Sequence, residues 1–182
     1  MKKLLVCISL LFLLILVSLG FAQTTSGKEG LRQTESKSQP AQADTVMRKL
    51  IGTWKLEVAD RRSESGEVTY PLGRDVIGYL MYDSTGHMGV HLMRAGRQRP
   101  EARDVIAGGY TAYFGTYEVN AKDGVVIHHM EGNTDPNLVG QDYIRYYELE
   151  GDKLVLTVAN QVGGKLAPKS PNSLRLVWRR VK

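Results

Sequence analysis

Hydrophobic and polar residues alternate with a period of two along most of the chain after residue 51. At its beginning, Trp54, Leu56 and Val58 are each separated by one residue of another kind. A period of two is typical of a strand with one buried face. The pattern predicts eight strands, the first beginning at Gly52 and the others being Val76 to Tyr82, His87 to Arg94, Ala112 to Val119, Val125 to Glu131, Tyr143 to Leu149, Leu154 to Ala159 and Leu174 to Val181.

Short turns separate these strands. Three of them, at 83–86, 122–124 and 150–153, combine Gly with Asp, as tight antiparallel hairpins prefer. Connections of this length leave no room for crossover helices. An eight-stranded antiparallel up-and-down barrel has no open edge and encloses roughly the volume of one small ligand. We therefore predict an all-β barrel of this kind.

The N-terminus has a different pattern. Lys2 and Lys3 precede an apolar run from Leu4 to Leu19, and small residues end at Ala22. This predicts a signal peptide over residues 1–22, cleavage after Ala22, and a periplasmic or secreted protein. If the run stayed uncleaved, it would instead anchor the chain in a membrane.

Residues 23–43 are rich in Thr, Ser, Gln, Lys and Glu and predict a disordered linker. The folded domain is then 44–182. Asp44 is a suitable N-cap for a short plug helix at one end of the barrel. Four apolar residues follow it at near-helical spacing: Val46, Met47, Leu50 and Ile51.

Composition narrows the classes of function. The formal charge is only +5, with acidic and basic residues interspersed, so no nucleic-acid partner is predicted. The single cysteine, Cys7, lies in the apolar run, so the domain is held together without disulfides. No phosphate-binding loop or hydrolase elbow is present, and we predict no cofactor. His87 and His91 share a strand face, but no cysteine or carboxylate cluster joins them, and we predict no metal.

Strand parity predicts a polar wall inside the barrel. A two-residue turn at 151–152 pairs Leu149 with Leu154, and an inward Leu154 makes Arg145 inward as well. Two tyrosines of the same strand, Tyr143 and Tyr147, have that parity. A buried guanidinium needs a partner.

The preceding hairpin supplies a candidate partner. A three-residue turn at 122–124 would pair Val119 with Ile127, which places His129 and Glu131 inside with Tyr113 and Tyr117. Glu131 is then the predicted partner of Arg145. A one-residue slip would place His128 inside instead, and the ion pair could also belong to a solidly packed barrel.

The longest loop, 95–109, carries several charged residues before an apolar end. It could be a solvated loop or a lid over the barrel mouth.

The chain resembles the bacterial and fungal lipocalin-like domain proteins, which belong to the calycin group of ligand-binding barrels. Five stretches carry the resemblance: Leu50–Trp54, Val68–Gly73, Gly78–Tyr82 with Gly86–Met88, Ala112–Val119, and His128–Gly132. The resemblance implies that Trp54 fills the closed end of the barrel, where Arg180 of the last strand can stack on its indole. Gly52, Trp54, Trp178 and Arg180 are therefore expected to be structural.

Two functions remain open from the sequence. The first is non-covalent binding of a small, largely apolar molecule with a polar head group, with these ligand-binding residues: Tyr113, Tyr117, His129, Glu131, Tyr143, Arg145 and Tyr147. The alternative is a cyclase or isomerase acting on a confined natural-product-like substrate. His129 or Tyr117 would then move a proton, and Arg145 would stabilise negative charge on oxygen. The oligomeric state is not predicted.

Overall fold

The computed structural model describes residues 39–96 and 109–182. The predicted signal peptide, the linker up to residue 38 and most of the 95–109 loop lie outside the described residues. Within the described part of the chain, no helix is both long enough and apolar enough to cross a membrane.

The eight predicted strands are confirmed, and three two-residue strands accompany them in the described chain. In chain order the strands are β1 (Gly52–Arg62), β2 (Val68–Thr69), β3 (Val76–Tyr82), β4 (His87–Arg94), β5 (Tyr110–Asn120), β6 (Val125–Asn133), β7 (Asp142–Glu150), β8 (Lys153–Val158), β9 (Gln161–Val162), β10 (Lys165–Leu166) and β11 (Arg175–Arg180). A 3-10 helix at Pro136–Leu138 precedes β7.

Antiparallel pairing closes the sheet into a barrel. The strand order is β11-β8-β7-β6-β5-β4-β3-β1, and β11 also pairs with β1. Each long strand therefore has two partners, and no long edge is left unpaired. The small strand β2 extends one end of β1, while β9 and β10 form a separate hairpin.

A helix over residues 39–50 lies before the barrel and closes one end of it. Leu50 is fully buried in the core, and the indole Nε1 of Trp54 donates to its carbonyl oxygen at 2.8 Å. The predicted N-cap is wrong, because Asp44 lies inside this helix. Ala41 and Ala43 favour helix, so the helix includes residues that the sequence pattern assigned to the linker.

The guanidinium of Arg180 lies 4.1 Å from the centre of the Trp54 ring. Its Nη1 donates to the carbonyl of Ile51 at 2.7 Å, and its Nη2 donates to that of Lys49. Arg180 thus ties the last strand to the end of the helix beneath the barrel. Trp178 is also fully buried.

Two irregularities adjust which side chains face the core. The β1–β11 register shifts between Leu56 and Val58. Ala59 is therefore buried, and the alternation that grouped Val58 with Trp54 and Leu56 on the buried face is wrong at Val58. The β5–β6 register shifts at Gly115, where an added Cβ would lie 1.9 Å from the carbonyl oxygen of His129. Only glycine allows the strands this close at the bulge.

The middle of the segment 159–174, between β8 and β11, packs on the outside of the barrel. The hydroxyl of Tyr146 donates to the carbonyl of Ala167 at 2.7 Å. Beneath the β9–β10 hairpin lies an exterior cavity lined in part by Val125, Ile127 and Ile144. This cover explains why adjacent residues Val125 and Val126 are both buried although they point to opposite faces of β6.

Candidate functional site

The barrel contains a cavity of about 440 Å³ at the end away from the helix. Its walls include residues at the ends of β4, β7 and β8 that are farthest from the start of β1. The apolar part of the lining is formed by Leu72, Leu92, Ile144, Val158, Ala159, Leu174 and Leu176.

The polar part of the lining is formed by Thr111, Tyr113, Asp142, Tyr143, Arg145 and Asn160. Three of them, Tyr113, Tyr143 and Arg145, lie together on one side of the cavity. These three residues come from β5 and β7, which flank β6. The rings of Tyr113 and Tyr143 meet edge to face with their centres 5.4 Å apart. A cavity with an apolar wall and a few convergent polar groups is typical of small-molecule sites.

Arg145 is the positively charged residue of the cavity lining and is only 9% exposed. Its Nη1 donates to the carbonyl of Ile144 at 3.1 Å, and its guanidinium lies 4.6 Å from the centre of the Tyr143 ring. Its Nε is buried and has no hydrogen-bond partner. No carboxylate of residues 39–96 or 109–182 lies within 4.0 Å of it.

The predicted partner of Arg145 is wrong, because Glu131 is exposed on the outer side of β6. His129 also lies outside, with Nδ1 2.7 Å from the carboxylate of Asp142 and Nε2 4.0 Å from that of Glu118. Neither residue reaches the cavity.

The length of the β5–β6 turn causes this difference. Asn120 pairs with Val125, so the turn has four residues rather than the expected three. The side chain of Asn120 accepts from the backbone of Asp123 at 3.1 Å and donates to its carboxylate at 2.7 Å, which favours the longer turn. The resulting one-residue shift turns His128 inward.

His128 is completely buried between two tyrosines. Its Nε2 lies 2.6 Å from the hydroxyl of Tyr82, and its Nδ1 lies 3.2 Å from that of Tyr113. A neutral imidazole has one N–H and one bare nitrogen, so it can donate to one hydroxyl and accept from the other. Tyr113 thereby connects the cavity wall to a buried hydrogen-bonded chain.

The protonation states follow from burial. Burial holds the pKa of His128 well below its usual value, and the charge of Arg145 lowers it further. Burial also raises the pKa of Tyr82 and of Tyr113, and the positive Arg145 only partly offsets this. At neutral pH the imidazole and both phenols are therefore uncharged, and Arg145 provides the positive charge of the cluster.

The other two predicted tyrosines face inward without reaching the cavity. The hydroxyl of Tyr117 donates to the carbonyl of Asp83 at 3.0 Å, and its ring lies 4.5 Å from that of Tyr82. Tyr147 is partly buried against the core. Of the seven predicted ligand-binding residues, three line the cavity, and their role in binding stays a prediction.

Sequence reasoning missed His128 and Tyr82 as site residues. A signal for His128 was present, because it has the same strand parity as Val126 and Met130, whereas Glu131 has the opposite parity. Val125 and Ile127 share the parity of Glu131, however, so this signal alone does not place His128 inside. Tyr82 was not predictable as a site residue, because its contact with His128 depends on how β3 faces β6 across the barrel.

The remaining histidines are exposed. Nδ1 of His87 lies 2.8 Å from the hydroxyl of Thr85, and Nδ1 of His91 lies 2.9 Å from that of Tyr110. Both side chains face outward. Among the residues that the structure describes, no group of three or more potential ligands from His, Cys, Asp and Glu is placed to hold a metal ion.

Comparison with known proteins agrees with the barrel architecture. The family model of the lipocalin-like domain matches residues 51–181, which include every strand of the barrel. A search of curated proteins finds no match. Because the family model covers well over half of the 182 residues, this chain belongs to the lipocalin-like domain family.

Proposed function

We propose that this protein binds a small, largely apolar molecule with a polar head group inside its barrel. The observation that carries the proposal is the cavity of about 440 Å³, which combines an aliphatic part with a polar part that includes Arg145 and two tyrosines. This volume falls in the range of about 300–1,000 Å³ that is typical of small-molecule sites.

The two walls support different parts of binding. Burying apolar ligand surface against the leucines and the valine contributes about 25 cal/mol per Å². The tyrosine hydroxyls and the guanidinium fix the orientation of the head group, because a polar group left unpaired in the cavity would be penalised. Since the N-terminal sequence predicts a signal peptide, we also propose that the ligand is met in the periplasm or outside the cell.

The proposal can be tested with the neutral apolar fluorophore N-phenyl-1-naphthylamine. Leu174→Trp places a large ring at the cavity wall and should weaken binding at least tenfold. Val162→Trp is the matched control, because Val162 is 73% exposed on the β9–β10 hairpin. Equal affinities of the two variants, or no binding by the unmodified protein, would contradict binding inside the barrel.

Native mass spectrometry of protein purified from its own host complements this titration. We expect a co-purifying small molecule that Leu174→Trp does not retain and Val162→Trp does.

A cyclase or isomerase is a second candidate, and the chain from Tyr113 to His128 and Tyr82 favours it. Tyr113 reaches the cavity with a hydroxyl 3.2 Å from His128 Nδ1, and Arg145 shares the same wall. Tyr113 would transfer the proton and His128 would relay it, while Arg145 would stabilise negative charge on a substrate oxygen. In this candidate, Tyr113 and His128 carry out the proton transfer that the sequence assigned to His129 or Tyr117.

Deuterium exchange distinguishes this candidate from simple binding. If Tyr113 moves protons, a bound ketone in D₂O should gain deuterium next to its carbonyl, and Tyr113→Phe should abolish the gain while retaining most of the affinity. Absence of exchange in the unmodified protein at saturating ketone would argue for binding alone.

A further inference from the structure

Among the residues that the structure describes, no carboxylate lies within 4.0 Å of Arg145, whereas two arginines of β11 have acidic partners. Arg175 bonds Asp60 through Nε at 2.9 Å, and Arg179 bonds Glu57 through Nε at 3.1 Å. Both of those arginines are more exposed than Arg145. The most buried of these three arginines is therefore the one that has no acidic partner in residues 39–96 and 109–182.

We propose that the head group of the ligand is a carboxylate that binds Arg145 as its missing counter-ion. This rests on the proposed function and makes its head group specific. A guanidinium taken out of water without a counter-ion is costly, and a ligand carboxylate brings both the charge and the acceptors that it lacks.

The guanidinium is already held in place for such a ligand. The carbonyl of Ile144 accepts a hydrogen bond from Nη1 of Arg145, and the Tyr143 ring lies beside the guanidinium. The Nε of Arg145 is buried without a hydrogen-bond partner. The Asp60–Arg175 pair of the same barrel shows how a carboxylate bonds a guanidinium, accepting from Nε at 2.9 Å and from Nη2 at 3.0 Å. Because the Nε of Arg145 is buried, a ligand carboxylate would bond the terminal nitrogens of Arg145. Because the plane is fixed beforehand, little ordering entropy is lost on binding.

The neighbouring groups favour an acid of one negative charge. The hydroxyls of Tyr113 and Tyr143 stay protonated at neutral pH because burial raises the pKa of each, so they can donate to an anion. His128 is neutral in the folded protein and adds no second positive charge. Asp142 also lines the cavity, with its carboxylate 2.7 Å from Nδ1 of His129. One cation with neutral donors and a carboxylate nearby matches a monocarboxylate better than a phosphate dianion.

Isothermal titration with octanoate and octan-1-ol tests the charge of the head group at constant chain length. We expect the unmodified protein to bind octanoate about tenfold to hundredfold more tightly, the gain of hydrogen bonds to a charged group. Arg145→Met should remove this preference by weakening the binding of octanoate much more than the binding of octan-1-ol. Arg179→Met is the control with the same substitution on the exterior, and it should keep the preference.

The outcomes separate this inference from the proposed function. Equal binding of the acid and the alcohol by the unmodified protein would overturn the carboxylate inference and leave a binding barrel. Binding of neither ligand, nor of N-phenyl-1-naphthylamine, would overturn both. Arg145→Met should also melt at the temperature of the unmodified protein or above it. A clear fall in Tm would mean that Arg145 has an acidic partner within the chain and would overturn the inference.

Discussion

Replacing His128 with glutamine should remove an acid sensitivity from the stability of the barrel. Burial, followed by the charge of Arg145, holds the folded-state pKa of His128 well below its usual value. In the unfolded chain the pKa returns to about 6.5. Above pH 6.5 the imidazole is neutral in both states. As the pH falls from there toward the folded-state pKa, only the unfolded chain takes up the proton, so stability is lost.

The size of this loss of stability is limited by the uptake of one proton in the unfolded chain. The free energy of unfolding should fall by up to about 1.4 kcal/mol per pH unit below pH 6.5, which is the linkage slope for a single group. Glutamine does not titrate, so the variant lacks this contribution. At pH 7.5 the variant should already be less stable by about 1–3 kcal/mol, because the hydroxyls of Tyr82 and Tyr113 lose well-placed partners.

Urea unfolding at pH 7.5, 6.5, 5.5 and 4.5 measures both quantities. The gap between the unmodified protein and His128→Gln should narrow as the pH falls. His129→Gln is the matched control, because His129 lies next to His128 in sequence but outside the barrel, beside Asp142. A gap that stays constant from pH 6.5 to 4.5, or one that narrows for His129→Gln instead, would refute the placement of His128.

Further substitutions test other parts of the structure through urea or thermal unfolding. Glu131→Gln should change the free energy of unfolding by less than about 0.5 kcal/mol, as at other exposed sites. A loss above about 2 kcal/mol would show that Glu131 lies inside the barrel. Trp54→Ala should cost about 3–5 kcal/mol by emptying the base of the core, and a small loss would show that the indole is not needed there. Gly115→Ala should cost about 1–3 kcal/mol, because its Cβ would lie 1.9 Å from a carbonyl oxygen of β6. Arg175→Met should cost roughly 3 kcal/mol by leaving the buried Asp60 without its bidentate partner, and a neutral result would contradict that pair.

Periodicity determined the architecture of this protein before any tertiary information. Alternating residues and short turns specify eight antiparallel strands, because a half-buried strand needs one apolar face and a short connection allows only a hairpin. The inward position of Arg145 was equally predictable. Its strand leads into a two-residue turn, which fixes the pairing of Leu149 with Leu154 and leaves no freedom of register.

The neighbouring hairpin shows where this reasoning stops. Val125, Val126 and Ile127 are all apolar, so the pattern at the start of β6 does not reveal which face is buried. The outer cover by the 159–174 segment makes both faces suitable for apolar residues, and this contact is remote in sequence. The side-chain bonds of Asn120 and the bulge at Gly115 then decide the register.

That register decides the chemistry of the site. One residue of shift exchanges His129 and Glu131 for His128, and so replaces a predicted internal ion pair with a neutral histidine and an uncompensated arginine. The sequence by itself determined the barrel and the position of its cation. Only the tertiary structure decided that no described carboxylate meets this cation, because side-chain partners across a barrel depend on turn lengths and bulges that local patterns do not encode.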